Sequence, residues 1–197
     1  MQQAVHQARH QPALGQLSVS DEQTAQSAEG RGSLAMQTFL PYRQFARSAR
    51  CLDRQRLGKQ RVECWDLIRV NLGASPRQGW INHPAARMWR EHVDALGLYY
   101  SVVCQEWISR GYKQYTWYPY DSQLRPRRPT DIDLTFQRHM ARDWRPVAKI
   151  VMPPWLGRED FHASHRSNLL RKDPEWYGQW GWTESPDLPY VWPVDGR

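Results

Sequence analysis

The sequence predicts an all-α fold: a single compact helical domain with an irregular Trp- and Pro-rich C-terminal segment, preceded by a disordered N-terminal tail. Three observations predict it. Apolar residues recur at helical spacing between Leu57 and Leu72 and between Leu98 and Ile108. The composition changes abruptly at residue 36. Beyond Lys172, Trp and Pro crowd the chain without a helical or an alternating pattern.

Residues 1–35 contain no aromatic residue, seven Gln and a net charge of −1. Such a segment buries too little apolar surface to offset its ordering entropy, so it reads as a disordered extension. A second methionine, Met36, stands where the globular pattern begins. Two origins stay open for the extension: translation that starts at Met36, or a genuine tail on a domain spanning 36–197.

Within that domain Asp53 is the N-cap of a helix running to about Leu72. Leu57, Cys64, Trp65, Ile68 and Leu72 form its buried stripe, with Arg61 the polar exception. Gly73–Gly79, with Pro76, breaks the chain. A second helix covers Pro84 to Leu96, with Pro84 in the first turn. A third covers Leu98–Arg110, with Gly111 closing it and Leu98, Val102, Val103, Trp107 and Ile108 on its core side. Tyr112–Pro129 is an aromatic, basic loop. Asp131–Trp144 reads as a helix, and 146–154 as an extended piece entering a Pro153–Pro154 turn. A last helix covers Glu159–Arg171 and stops before Asp173–Pro174.

The 197-residue chain carries 27 Lys and Arg against 20 acids, a formal charge of +7 and a pI near 9.6. The excess is arginine, since Lys59, Lys113, Lys149 and Lys172 are the four lysines. Arginine suits bidentate contact with phosphate and base edges. All 11 Trp lie between Trp65 and Trp192, and aromatics beside arginine also stack on unpaired bases. No apolar run approaches the roughly 18 residues of a membrane span. Cys51, Cys64 and Cys104 are odd in number and lack C-x-x-C spacing, which argues against a disulfide framework and for a reducing, cytoplasmic setting.

Three clusters can carry chemistry. At about 100° per residue, Arg56, Lys59, Gln60 and Glu63 share one face of the first helix, away from the Leu57–Trp65–Ile68 stripe. Two readings stand: an acid–base group near phosphates, or a solvated face with Lys59–Glu63 pairing. His83 precedes a helix start, with Arg87 and Arg90 following, which suits either a phosphate contact or a cap with structural ion pairs. Ser164–Gly178 packs Ser, His, Arg, Asn and Lys donors ahead of Trp176 and Tyr177, a pattern for holding phosphate and stacking on a base. His162 and His165 lack a third ligand at metal spacing, so no metal is predicted.

These residues resemble a known family. Met36–Tyr42 (Met-Gln-Thr-Phe-Leu-Pro-Tyr), Leu52–Glu63, Asn82-His83-Pro84, Arg110-Gly111-Tyr112, Ser164–Gly178 and Asp187–Pro193 resemble bacterial and phage members of the pyrimidine-dimer DNA glycosylases, typified by bacteriophage endonuclease V. The likeness to the phage enzyme rests on Gln55-x-Leu57 followed by Glu63, on Trp176-Tyr177 with Gly181, and on helical order. The resemblance implies an all-α enzyme that flips a nucleotide and cuts the glycosidic bond through an imine between an α-amine and the sugar C1′. It implies Glu63 as the assisting carboxyl. It puts Gln55, Arg56, His83, Trp176 and Tyr177 at or near DNA contacts.

With the donor clusters, the expected DNA-binding set is Gln55, Arg56, His83, Arg87, Arg166, Asn168, Lys172, Trp176 and Tyr177. The amine is that of Met36, or Lys59 one turn from Glu63. Val62 stands where the family has an arginine. The Tyr112–Pro129 loop has no family counterpart. The expected function is a repair-type DNA glycosylase, with or without lyase activity, acting as a monomer on damaged double-stranded DNA without a cofactor. A non-catalytic DNA- or RNA-binding protein on the same scaffold is the alternative, and a nucleotide- or modified-base enzyme a third reading.

Overall fold

The computed structural model describes residues 37–75, 78–127 and 146–194. The expected tail 1–35, Met36, Arg128–Pro129 and the expected helix Asp131–Trp144 lie outside them. Six α-helices carry the described fold: α1 Phe45–Cys51, α2 Arg54–Asn71, α3 Pro84–Trp89, α4 Val93–Ser109, α5 Glu159–Lys172 and α6 Pro174–Gly178. The sequence pattern did not indicate the short helices α1 and α6. Among the described residues there is no strand, and a single bridge joins Tyr120 to Pro126. No helix among them is long and apolar enough to cross a membrane.

Helix α2 keeps its expected limits. Asp53 Oδ1 accepts from the N–H groups of Gln55 at 2.8 Å and Arg56 at 3.0 Å, satisfying two of the free donors of the first turn. Its other oxygen takes the Tyr177 hydroxyl at 2.6 Å, which ties α2 to α6. These bonds, with Arg56, hold the Asp53 carboxyl below its usual range against the opposing effect of burial.

The break after α3 falls elsewhere than expected. A 3₁₀ turn at Arg90–His92 ends α3, and α4 begins at Val93. Gly97, which the expected helices ending at Leu96 and starting at Leu98 left between them, is buried inside α4. A mid-helix glycine costs about 1 kcal/mol, and packing α4 against α2 and α1 exceeds that. Leu98 and Val103 face the core as expected, whereas Ile108 is exposed.

Gly111 closes α4 at φ +85°, its N–H donating to Ile108 C=O at 2.9 Å. An added Cβ would meet nothing within 4 Å. Replacing Gly111 by Ala therefore isolates the left-handed backbone cost, an expected loss of about 1 kcal/mol. It is read as a lower urea midpoint at unchanged slope.

After α6 the chain runs without helix through Val194, as the Trp/Pro composition predicts. This strap is fastened along α5. Ser167 donates to Ser185 C=O at 2.6 Å, the Val191 N–H donates to Ser164 at 3.2 Å, and Trp182 stacks on Tyr177. Cys51, Cys64 and Cys104 are buried free thiols. Burial pushes Cys51 and Cys104 up to about 12, which removes thiolate chemistry from all but strongly alkaline solution.

Candidate active site

Gln60 and Glu63 are buried, at 0% and 7% exposure. This corrects the expectation of a solvated α2 face. The segment Gln37–Pro41 lies over them and is itself buried. Gln60 Oε1 accepts from the Phe39 N–H at 2.6 Å, and Gln60 Nε2 donates to Gln37 C=O at 2.8 Å. The Glu63 carboxyl accepts from the Gln37 N–H.

Side chains from other helices complete the hold. Trp89 donates to Thr38 Oγ1 at 3.0 Å, and the Tyr99 hydroxyl to Phe39 C=O at 2.5 Å. His162 Nδ1 bonds Leu40 C=O at 2.7 Å and must carry the proton. His165 Nδ1 accepts from the Leu40 N–H at 3.1 Å, so its proton lies on Nε2. Burial holds both imidazoles neutral by lowering their pKa values, His165 the more strongly. The histidine pair thus serves the main chain. Among the described residues no group of three or more His, Cys, Asp or Glu could hold a metal ion.

Burial also sets the chemistry of Glu63. It raises the carboxyl to about 7, against the opposing pull of Lys59, the Gln37 N–H and Lys172. Lys59 Nζ stands 3.4 Å from Oε1. Oε2 is buried without a hydrogen-bond partner. A carboxyl with a pKa near neutrality can give and take protons at the same pH.

Lys59 also lines a groove of about 600 Å³, together with Gln55, Gly58, Trp107 and Trp176. Trp176 is partly exposed, with its Nε1 donating to Cys51 C=O at 2.9 Å. Arg61 covers the Trp107 ring at 4.2 Å. The absence of a side chain at Gly58 matters here, since a Cβ would sit 3.3 Å from the Trp107 ring.

The structure therefore brings Lys59 to Glu63 and also places Lys59 in the groove with Gln55 and Trp176, and Lys172 lies within electrostatic range of Glu63. Other expected residues stand differently. Arg56 bridges Asp53 at 2.8 Å and Lys172 C=O at 3.1 Å, joining α2 to the end of α5. His83 caps α3, Nδ1 accepting from the Ala85 N–H at 3.1 Å, which selects the cap over the free anion site. Arg87 is exposed on α3, away from the groove lining.

Arg166, Asn168 and Tyr177 are buried, so the expectation that they face DNA is corrected. Arg166 pairs with Glu159 and Glu184 and donates to Pro41 C=O. Asn168 sits inside α5, and the Tyr177 hydroxyl is spent on Asp53. The basic loop is likewise engaged where described: Arg125 pairs with Asp121, and Arg127 stacks on Tyr118. Sequence reasoning named Gln60 and His165 in its candidate clusters without giving them this role, and it did not single out Tyr99.

Residues 36–117 match the family model of the pyrimidine dimer DNA glycosylases. The match covers less than half of the 197-residue chain and agrees with the resemblance read from the sequence. The matched span holds the Gln37–Pro41 segment, α2 with Lys59, Gln60 and Glu63, and α4. Helices α5 and α6 and the strap lie beyond it. No curated protein and no solved structure matches the chain.

Proposed function

We propose that this chain is a DNA glycosylase acting on damaged pyrimidines through an imine, with the α-amine of a chain beginning at Met36 as nucleophile and Glu63 as the acid–base group. In this reading residues 1–35 are not part of the working enzyme. One observation carries the proposal: the Gln37 N–H bonds the buried Glu63 carboxyl, whose pKa is about 7. Residue 36 is covalently next to Gln37, and neighbouring Cα atoms are about 3.8 Å apart. In this reading the amine directly precedes Gln37, the residue whose N–H bonds Glu63.

The lone pair of the neutral amine attacks C1′, and the base leaves with the glycosidic electron pair. The nitrogen loses a proton and its lone pair expels O4′, which takes a proton from Glu63 and leaves an iminium at C1′. The Glu63 carboxylate can then remove a C2′ proton, and the electrons expel the 3′ phosphate, the lyase step. The groove between Trp107 and Trp176 suits an extrahelical nucleotide, stacked on Trp176 beside Lys59. The net positive charge supplies salt-dependent affinity for the duplex.

Lys59 gives a second reading, because its Nζ stands 3.4 Å from Glu63 and is partly open to solvent. Borohydride trapping on duplexes with an abasic site or a cyclobutane pyrimidine dimer separates the two. The expected result is a covalent adduct with the chain that starts at Met36, none with the full chain, and retention of the adduct in Lys59→Ala. An adduct with both chains that disappears in Lys59→Ala moves the nucleophile to Lys59. Tight duplex binding with no adduct from either chain ends the imine reading and leaves a monofunctional glycosylase, with Glu63 activating water, or the binding-protein alternative.

A further inference from the structure

Gln60 and Glu63 stand one turn apart on α2, and between them they take three main-chain groups of the first described residues. Glu63 accepts from the Gln37 N–H. Gln60 takes the C=O of Gln37 and the N–H of Phe39. A C=O and the N–H two residues later form the edge that a neighbouring strand would read. Here one side-chain amide reads it. The two ends of that amide are not interchangeable, since one only donates and the other only accepts. A slip of one residue turns the opposite edge of the chain toward α2. Both bonds are lost in a place where Gln60 has 0% exposure, and unpaired polar groups there are costly.

The remaining holds lie farther along and each grips one atom: Trp89 on Thr38 Oγ1, Tyr99 on Phe39 C=O, His165 and His162 on Leu40. Gln60 alone among these grips the main chain on both sides of Thr38.

We infer that Gln60 is a positioning residue: its side-chain amide sets the register of residues 37–39 and thereby holds Gln37 on the Glu63 carboxyl, as an amine that directly precedes Gln37 would require. The inference rests on the imine chemistry proposed above. A one-residue slip moves Gln37 by about 3.3 Å along α2, well beyond the roughly 1 Å displacement that costs a reaction about 100-fold.

The test uses the chain starting at Met36, with Gln60→Met and Gln60→Glu variants, and an abasic duplex. Single-turnover borohydride trapping is measured across pH, alongside duplex affinity without borohydride. Gln60→Met is expected to trap about 100-fold more slowly. Duplex affinity is expected to change by less than about threefold, because the exposed basic surface is untouched. Gln60→Glu has a built-in rescue. Its protonated carboxyl offers one donor and one acceptor, as glutamine does, whereas its carboxylate turns a lone pair toward Gln37 C=O. Its rate relative to the parent is expected to rise as pH falls.

Equal trapping by the parent and Gln60→Met overturns the inference. So does parallel loss of trapping and duplex binding in both variants at every pH, which makes Gln60 a holder of the fold only. A parent that binds duplex and never traps overturns the imine reading itself, and the inference with it.

Discussion

Replacing Glu63 by Gln is expected to slow imine trapping by roughly 10²- to 10⁴-fold, the usual worth of a positioned acid–base group, while making the protein more stable above neutral pH. The second effect follows from the sign of the shift. Burial raises the folded-state pKa to about 7 from 4.5. A raised carboxyl pKa means that the folded state holds its proton more tightly. The favourable contribution is complete below pH 4.5 and is lost as pH rises toward 7. At pH 8 the buried carboxylate costs about 3 kcal/mol, and at pH 5 about 1 kcal/mol. Glutamine never ionises, so Glu63→Gln is expected to melt roughly 6–12 °C above the parent at pH 8. The gap should narrow at pH 5. Scanning calorimetry at the two pH values checks it, and a gap of the same size at both would refute a buried ionising Glu63. A gain in stability with a loss of chemistry is the mark of a residue kept for its reaction.

The second large effect is expected at Arg166. Its guanidinium spans Glu184 at 2.6 Å, Glu159, and Pro41 C=O at 2.9 Å. It therefore joins the C-terminal strap, α5 and the segment over the active site. Arg166→Met leaves Glu184, whose side chain is only 15% exposed, without its cation, and Pro41 C=O without its donor. Losing one partner of a mostly buried pair costs about 3 kcal/mol or more. The variant should unfold at a markedly lower urea midpoint. Adding Glu184→Gln should recover part of the loss, since the stranded charge then disappears. If the double variant is no more stable than Arg166→Met, Glu184 is not the group whose stranding matters.

The limits of α2 are legible in the sequence because local chemistry sets them: Asp53 caps the first turn, and Gly73 follows the last. The start of α4 is not legible. The packing that keeps Gly97 helical comes from α1 and α2, and no local rule reports it. The buried face of α2 shows the same division. Leu57, Cys64 and Ile68 give one stripe. Leu67 and Val70 are also buried, and Leu67 lies at i+4 from Glu63 and i+7 from Gln60. That spacing is the signal that Gln60 and Glu63 belong to a covered face. What covers them, Gln37–Pro41, has no periodicity of its own.

The donors of α5 show why a dense polar cluster misleads. His162, His165 and Arg166 are spent on Leu40 and Pro41, main-chain atoms that no side-chain pattern announces. Lys59 stays in the groove with a partner one turn away, whereas Trp176 reaches the Cys51 C=O across 125 positions and keeps its ring partly exposed. Sequence identified the ionising group; the fold decided which neighbours it acquires.

The hold on Leu40 and Pro41 spans 122 to 125 positions of sequence. Contacts that distant form late, because the loop they close is long and gains nothing until its far end exists. A chain emerging from the ribosome displays Gln37–Pro41 early and makes α5 near the end. The segment therefore has no complete seat until synthesis is nearly finished. A truncated chain lacking α5 keeps the grips of α2, α3 and α4 on residues 37–39 but leaves Leu40 and Pro41 unheld.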